Sequence, residues 1–437
     1  MRSGAREIVW VATFMLLLDT SRAPKAAAEV ATYSGDLSTR STLTGDWGGA
    51  RNDLASKGIT FDANLTQIEQ GVVDGGKNGA WEYGGRGNLT GNLDTQKLGL
   101  WPGGFLTAEL EGNWSDSVNA KTGSLMPVNT NQLFPLPTGN NVAMPNLTFA
   151  QFVSPYAGAA VGKFDTMLSG DPNEFAHGKG DGQFFNLAFN INPTLLLAVP
   201  ASTLGAGLIV LPTKDPSAAI VNFSVLSSTG KASTFGFDDL SSDNLSFVGQ
   251  GRVRTDFFGL SGHQLVGAAY SNKQFTQLDQ RIGFVIQNRR FSKQDGTWAV
   301  YYNFDQFVYE IDPNAGRGVG LFGRFGASDG EANPLHYFGS FGVGGKGIMS
   351  ERPLDRCGIG YYYLAVANPT FQVPIAGTKS FLRDEWGFEA FYNIAITPWM
   401  LLTPDLQVVG PSQKRQITNG ESIETATVLG IRVQLIL

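Results

Sequence analysis

Arg86, Glu109 and Glu111 are the side chains in this sequence whose types and spacing could work together. Arg86 shares one side of an alternating stretch with Asn88, Thr90 and Asn92, and Glu109 and Glu111 share the polar side of the next long alternating stretch. A guanidinium offers only donors and a carboxylate only acceptors. A pair of opposite charges can therefore hold a hydroxyl-rich neutral solute from two sides while raising no strong ionic barrier.

Other chemistries find less support. The only histidines are His177, His263 and His336, and none stands in a recognisable local pattern with a nucleophile. Gly318-x-Gly320-x-x-Gly323 and Gly342-x-Gly344-x-x-Gly347 match a dinucleotide fingerprint, but neither opens a helix in a βαβ unit, and 55 glycines generate such matches by chance. Cys357 is the single cysteine, so no internal disulfide forms. No Cys/His cluster has metal spacing and no dedicated carboxylate cage is visible, so neither a metal nor a cofactor is expected. Sequons at Asn64, Asn88, Asn113, Asn146, Asn222 and Asn244 read as chance in an Asn-rich chain.

The elements that must position these charges are strands with two unlike faces. In the last stretch Thr427, Leu429, Ile431, Val433, Leu435 and Leu437 alternate with Val428, Gly430, Arg432, Gln434 and Ile436. Side chains of a strand point alternately to opposite faces, so one face is apolar and the other carries a charge and an amide. The pattern recurs: Phe247, Gly249, Gly251, Val253, Thr255 and Phe257 oppose Gln250, Arg252, Arg254 and Asp256, and Leu402, Pro404, Leu406 and Val408 oppose Thr403, Asp405 and Gln407. A soluble sandwich puts such charged faces outside; a membrane barrel puts them inside, lining a watery lumen. Arg252, Arg254, Arg324, Glu389, Asp405 and Arg432 would then be wall residues facing water.

The N-terminus favours the barrel. Arg2 and Arg6 precede an apolar run from Ile8 to Leu18, too short to span a bilayer, and Ala26 to Ala28 supply a cleavage site. Residues 1–28 read as a cleaved signal peptide, whose loss removes four basic and two acidic side chains and takes the net charge from -6 to -8. An acidic mature chain argues against a nucleic-acid surface. Beyond the signal no apolar run reaches the ~18 residues of a spanning helix, which leaves a closed sheet as the structure able to satisfy its backbone in lipid. Residues 29–437 form one domain, of which 29–58 is an N-terminal segment with a short helix. At ~25 residues per strand and connection it makes about 16 antiparallel strands, an all-β transmembrane barrel. Candidate strands run from 59–67 to 425–437 and include 183–191 and 281–287. The polar connection 115–146 is a candidate outer loop that could fold into the pore.

Ahead of the first strand, Ala50 and Leu54 share a face of the short helix and Gly58 stops it. The run Leu43 to Ile59, with Gly45-Asp46-Trp47-Gly48-Gly49 at its centre, resembles the opening signature of the OprB-type carbohydrate-selective porins of Gram-negative outer membranes. Gly162-Lys163-Phe164-Asp165, Gln183-Phe184-Phe185-Asn186, Glu351-Arg352-Pro353, Ile396-Thr397-Pro398-Trp399 and Leu402 to Gln407 extend the resemblance along nearly all of the mature chain. Leu437 departs from the aromatic residue that usually ends such barrels.

The resemblance implies a 16-stranded barrel that passes small neutral saccharides by diffusion, is inserted by the barrel-assembly machinery and sits in outer membrane lipid as a monomer or homotrimer. It also places Trp47, Arg51 and Trp81 near the channel. Arg51 could instead be a helix-surface charge, and Trp81 an aromatic of the membrane interface. A general or differently selective porin is the nearest alternative, and an outer membrane barrel hydrolase a more distant one.

Overall fold

The computed structural model describes residues 33–437 apart from 138, 239, 374–376, 417 and 418. The expected signal peptide lies outside the described residues. Sixteen strands close into one antiparallel barrel. They are β1 (Ile59–Gly76), β2 (Trp81–Asp94), β3 (Gly104–Ser115), β4 (Asn141–Ser154), β5 (Ala157–Asp165), β6 (Ser202–Val210), β7 (Ala219–Ser227) and β8 (Leu245–Phe257). The circle continues with β9 (Leu260–Thr276), β10 (Lys293–Asp312), β11 (Arg317–Ser328), β12 (Leu335–Lys346), β13 (Arg356–Val366), β14 (Glu385–Thr397), β15 (Met400–Gly410) and β16 (Glu424–Ile436). β16 returns to β1, with Asn64 opposite Ile436 and Val72 opposite Val428, so no edge is left unpaired.

The two faces fall as the alternation requires. Leu429 and Ile431 are exposed on the outer surface while Arg432 and Gln434 are buried inside; Val253 and Phe257 are exposed while Arg252 is buried. Two-residue turns at 258–259 and 398–399 mark one end of the barrel, and the long connections 116–140 and 166–201 mark the other. At the short-turn end lies the N-terminal helix α1 (Ala50–Ser56), followed by Gly58 at φ 87°, a left-handed conformation that favours glycine. It buries Arg51 and Ala55, while Ala50 is exposed and Leu54 half-buried.

The interior is not a simple watery tube. Parts of 116–140 and most of 166–201 fold back between the walls, and an apolar core forms inside the barrel. Phe175, Ala176, Phe184, Ala188 and Phe189 pack on wall residues that include Phe307, Phe322, Phe338, Tyr362 and Phe391. Leu195 and Ala198 pack on Leu265, Ala269 and Tyr301. The expected strand 183–191 is therefore absent: Leu187–Phe189 makes a 3-10 turn capped by Asn186, whose side chain accepts from Ala188 N. Apolar residues on both sides of that run signal a segment surrounded by protein, with neither a lipid face nor a water face. The expected strand 281–287 is replaced by helix Ile282–Asn288, beside a small sheet of Asp279–Arg281, Thr370–Val373 and Gly377–Ser380. A short apolar run does not distinguish strand from helix by periodicity alone.

Burial also corrects the expectation that Arg324, Glu389, Asp405 and Arg432 face water. All four point inward but lie buried under the infolded segment. Two of the glycines that mimicked a dinucleotide fingerprint, Gly320 and Gly344, make room for it. A Cβ on Gly320 would lie 2.3 Å from Phe175 Cε2, and one on Gly344 would lie 2.5 Å from Phe175 Cβ. Gly344→Val should thus displace Phe175, destabilise the barrel by about 1–3 kcal/mol through overpacking, and raise single-channel conductance. Urea titration in lipid vesicles and bilayer recording check the two effects; unchanged stability and conductance would show that the packing of Phe175 is dispensable.

Candidate functional site

β2 and β3 place the three expected residues on one inward face. Their register sets Arg86 opposite Asn113, Asn88 opposite Glu111 and Thr90 opposite Glu109, so Arg86 and Glu111 are diagonal neighbours. Arg86 Nη1 donates to Glu111 Oε1 at 2.9 Å, and Nη2 donates to Asp181 Oδ2 at 3.0 Å. Lys179 Nζ lies 2.7 Å from Glu111 Oε1 and 3.8 Å from Glu109 Oε1, and it pairs with Asp165 at the end of β5. Its ammonium also faces the Phe134 ring, 5.1 Å from the centroid. Arg86, Glu109 and Glu111 are only 3%, 2% and 1% exposed. The open edge of the cluster is Asp181, whose side chain is 25% exposed.

The wall holds the segment that delivers Lys179 and Asp181. Arg432 donates to Gly180 O at 2.8 Å and Gln183 O at 3.0 Å, with its guanidinium over the Phe185 ring. Glu389 accepts from Phe185 N and Asn186 N at 2.5 and 2.9 Å. A buried irregular backbone needs partners for its polar groups, and the charged inward faces supply them. Burial alone would lower the pKa of the Lys179 ammonium, but Asp165, Glu109 and Glu111 outweigh it and hold the pKa above its ordinary value. The carboxyl groups of Glu109, Glu111 and Asp165 lie within 4.8 Å of one another, close enough to share a metal ion, a grouping the sequence did not reveal. Lys179 occupies that position.

The other three expected residues lie elsewhere. Trp81 is 55% exposed on the outer surface near the long-loop end, beside Tyr83, in keeping with an aromatic at the membrane interface. Arg51 is buried at the short-turn end, where it donates to Thr42 Oγ1, Thr44 Oγ1, Phe61 O and Leu437 O and so bridges the N-terminal segment to the closing strands. Its guanidinium sits 4.0 Å from the Tyr33 ring and 5.1 Å from the Trp47 ring. These contacts tie Trp47 and Arg51 to the β1/β16 seam, away from the Arg86 cluster. Sequence reasoning missed Asp165, Lys179 and Asp181. Their one signal is the run His177-Gly178-Lys179-Gly180-Asp181-Gly182, charges set between glycines inside a long connection.

The histidines do not assemble a nucleophilic site among the described residues. His263 Nδ1 pairs with Asp305 Oδ1 at 2.7 Å, while Ser261 Oγ accepts from Arg254. His177 lies within the infolded segment between Asn190 O and Leu168 O, and His336 packs at a tilt against Tyr337.

Comparison with known proteins agrees with this architecture. The model of the OprB family, carbohydrate-selective porins, matches residues 79–436. Porin B of Pseudomonas aeruginosa is 26% identical over 161 residues, and that match spans about a third of each protein (32% of both). The high-pH structure of Pseudomonas putida OprB superposes with a TM-score of 0.76 at 19% identity, over 92% of this chain and 100% of that one. The low-pH structure of the same protein gives 0.55 at 16% identity, over 92% and 99%. With the family model covering every strand from β2 to β16, the chain belongs to the OprB family of carbohydrate-selective porins.

Proposed function

We propose that this protein is exported with cleavage after Ala28 and resides in the outer membrane of a Gram-negative bacterium. There it passes small neutral carbohydrates such as glucose by passive diffusion, without catalysis. The observation that carries the proposal is the Arg86–Glu111 pair at 2.9 Å with Asp181 at its open edge, beside an inward wall of half-buried amides and hydroxyls: Asn64, Asn88, Thr90, Asn92, Asn146 and Thr148. Such groups exchange hydrogen bonds with sugar hydroxyls, and juxtaposed opposite charges orient a neutral solute without trapping an ion. Binding at this site is weak, in the millimolar range of about 4 kcal/mol, so that solute enters and leaves.

The test is single-channel recording with sugar as blocker. Arg86→Ala strips Asp181 of its guanidinium partner and leaves Glu111 with Lys179 alone. It should weaken glucose block about tenfold, the order of one charged hydrogen bond, and shift ion preference toward cations. Glu109→Gln should shift preference toward anions with a smaller loss of block, because the amide still hydrogen-bonds. Unchanged block and ion preference in both variants would remove this cluster from the permeation path.

A further inference from the structure

Three buried carboxylates and one buried ammonium make an arrangement that the diffusion of neutral sugars does not by itself require. Glu109, Glu111 and Asp165 converge within 4.8 Å, and Lys179 reaches all three. Among the described residues Glu109 and Asp165 have no other ion-pair partner, since Arg86 is engaged with Glu111 and Asp181. Counted formally, Arg86 and Lys179 oppose Glu109, Glu111, Asp165 and Asp181, so the loss of Lys179 would leave one cation against four carboxylates in this cluster inside the barrel.

Lys179 does not come from the wall. It is delivered by the connection between β5 and β6 on a run in which Gly178 and Gly180 have φ of 110° and 74°, conformations that side-chain-bearing residues rarely adopt. Arg432 fixes that run through Gly180 O and Gln183 O. The ammonium is thus a tethered cation, held in register with the triad by the backbone of the infolded segment.

We propose that Lys179 is the residue that sets the ion selectivity of this pore, acting as a built-in counter-ion to Glu109, Glu111 and Asp165. A ring of carboxylates in a constriction draws cations, and divalent cations most strongly. With Lys179 in place the carboxylates still orient hydroxyls near the eyelet, but they no longer concentrate metal ions there. The inference rests on the pore reading above and assigns ion discrimination to a residue that does not itself line the wall.

The experiment is the reversal potential of planar bilayers under a KCl gradient, with Ca²⁺ then added on one side. Lys179→Met should raise the ratio of K⁺ to Cl⁻ permeability about threefold or more and make the current sensitive to millimolar Ca²⁺. Lys179→Arg should keep the wild-type ratio, and Lys179→Met combined with Glu109→Gln should return part of the way to it. A folded Lys179→Met barrel, recognised by its heat-modifiable migration on gels, with wild-type ion preference and no Ca²⁺ block would overturn the proposal. Should Lys179→Met fail to insert, Glu109→Gln alone decides: it leaves Arg86 and Lys179 against three carboxylates instead of four and should shift the ratio toward Cl⁻, and an unchanged ratio would again overturn the proposal. Swelling of wild-type proteoliposomes in glucose tests the sugar reading separately, because that reading can fail while the ion shifts remain.

Discussion

Arg324→Ala should destabilise the folded barrel by about 3–5 kcal/mol and release the infolded segment from the wall. Arg324 is fully buried; its Nε donates to Asp171 Oδ2 at 2.6 Å and its Nη atoms donate to Phe189 O, Asp171 O and Ala176 O. One side chain therefore holds three carbonyls and a carboxylate of the same segment. Asp171 would keep Asn303 Nδ2 and Asn192 N as donors but lose its counter-ion in a site that water does not reach. Removing both charges, with Arg324→Met and Asp171→Asn together, should be milder than the single change because no buried charge is left unpaired. Vesicle unfolding curves measure the cost, and single-channel conductance should rise as the segment leaves the lumen. Equal stability and conductance in Arg324→Ala would mean that the Phe175–Phe189 packing holds the segment alone.

Leu406→Arg should cost about 2–4 kcal/mol, the penalty for a cation facing lipid near the middle of a barrel wall. Leu406 is exposed on the outer surface, opposite Leu429 and Ala390, midway along β15. Val253→Arg should cost less, because Val253 lies toward the short-turn end of β8, where the penalty falls to about 0–1 kcal/mol. Alternation alone would make the inward neighbour Gln407 a tolerant control, but the structure removes that expectation. Gln407 is 0% exposed, accepts from Asn186 Nδ2 and donates to Val128 O, so an arginine there would clash with both infolded connections. Thr90 is the better control: it faces inward, is half-buried, and lies across from Asp62 and Glu109, where a new cation finds carboxylates. Equal tolerance of arginine at 406 and 90 would show the register to be displaced by one residue, since such a slip exchanges the faces.

The barrel was legible because its governing signal is local. Leu429, Ile431 and Arg432 need only a period of two to be assigned to their faces, and Arg86, Glu109 and Glu111 follow from the same rule on adjacent strands. The interior was not legible, because what covers a lumen face depends on contacts more than a hundred residues apart in sequence. Glu389 has the same alternation whether it meets water or the backbone of Phe185 and Asn186, and only the closed topology brings 166–201 across to it. Lys179 was missed for a related reason: a lysine between glycines in a polar connection carries no periodic signal, and its role comes from carboxylates on β3 and β5. Arg51 shows the converse. The family resemblance pointed to a conspicuous N-terminal run, but its chemistry there is a clasp on the barrel seam.

The most direct test of the pore reading is block of wild-type single-channel current by glucose and by gluconate, a charged solute of similar size. A neutral-sugar eyelet in which Arg86 and Lys179 offset part of the carboxylate charge predicts glucose block with millimolar affinity, clearly stronger than block by gluconate, together with only modest ion preference. Current that neither solute blocks, with both passing at rates set by size alone, would contradict the carbohydrate assignment and make this barrel a general diffusion pore.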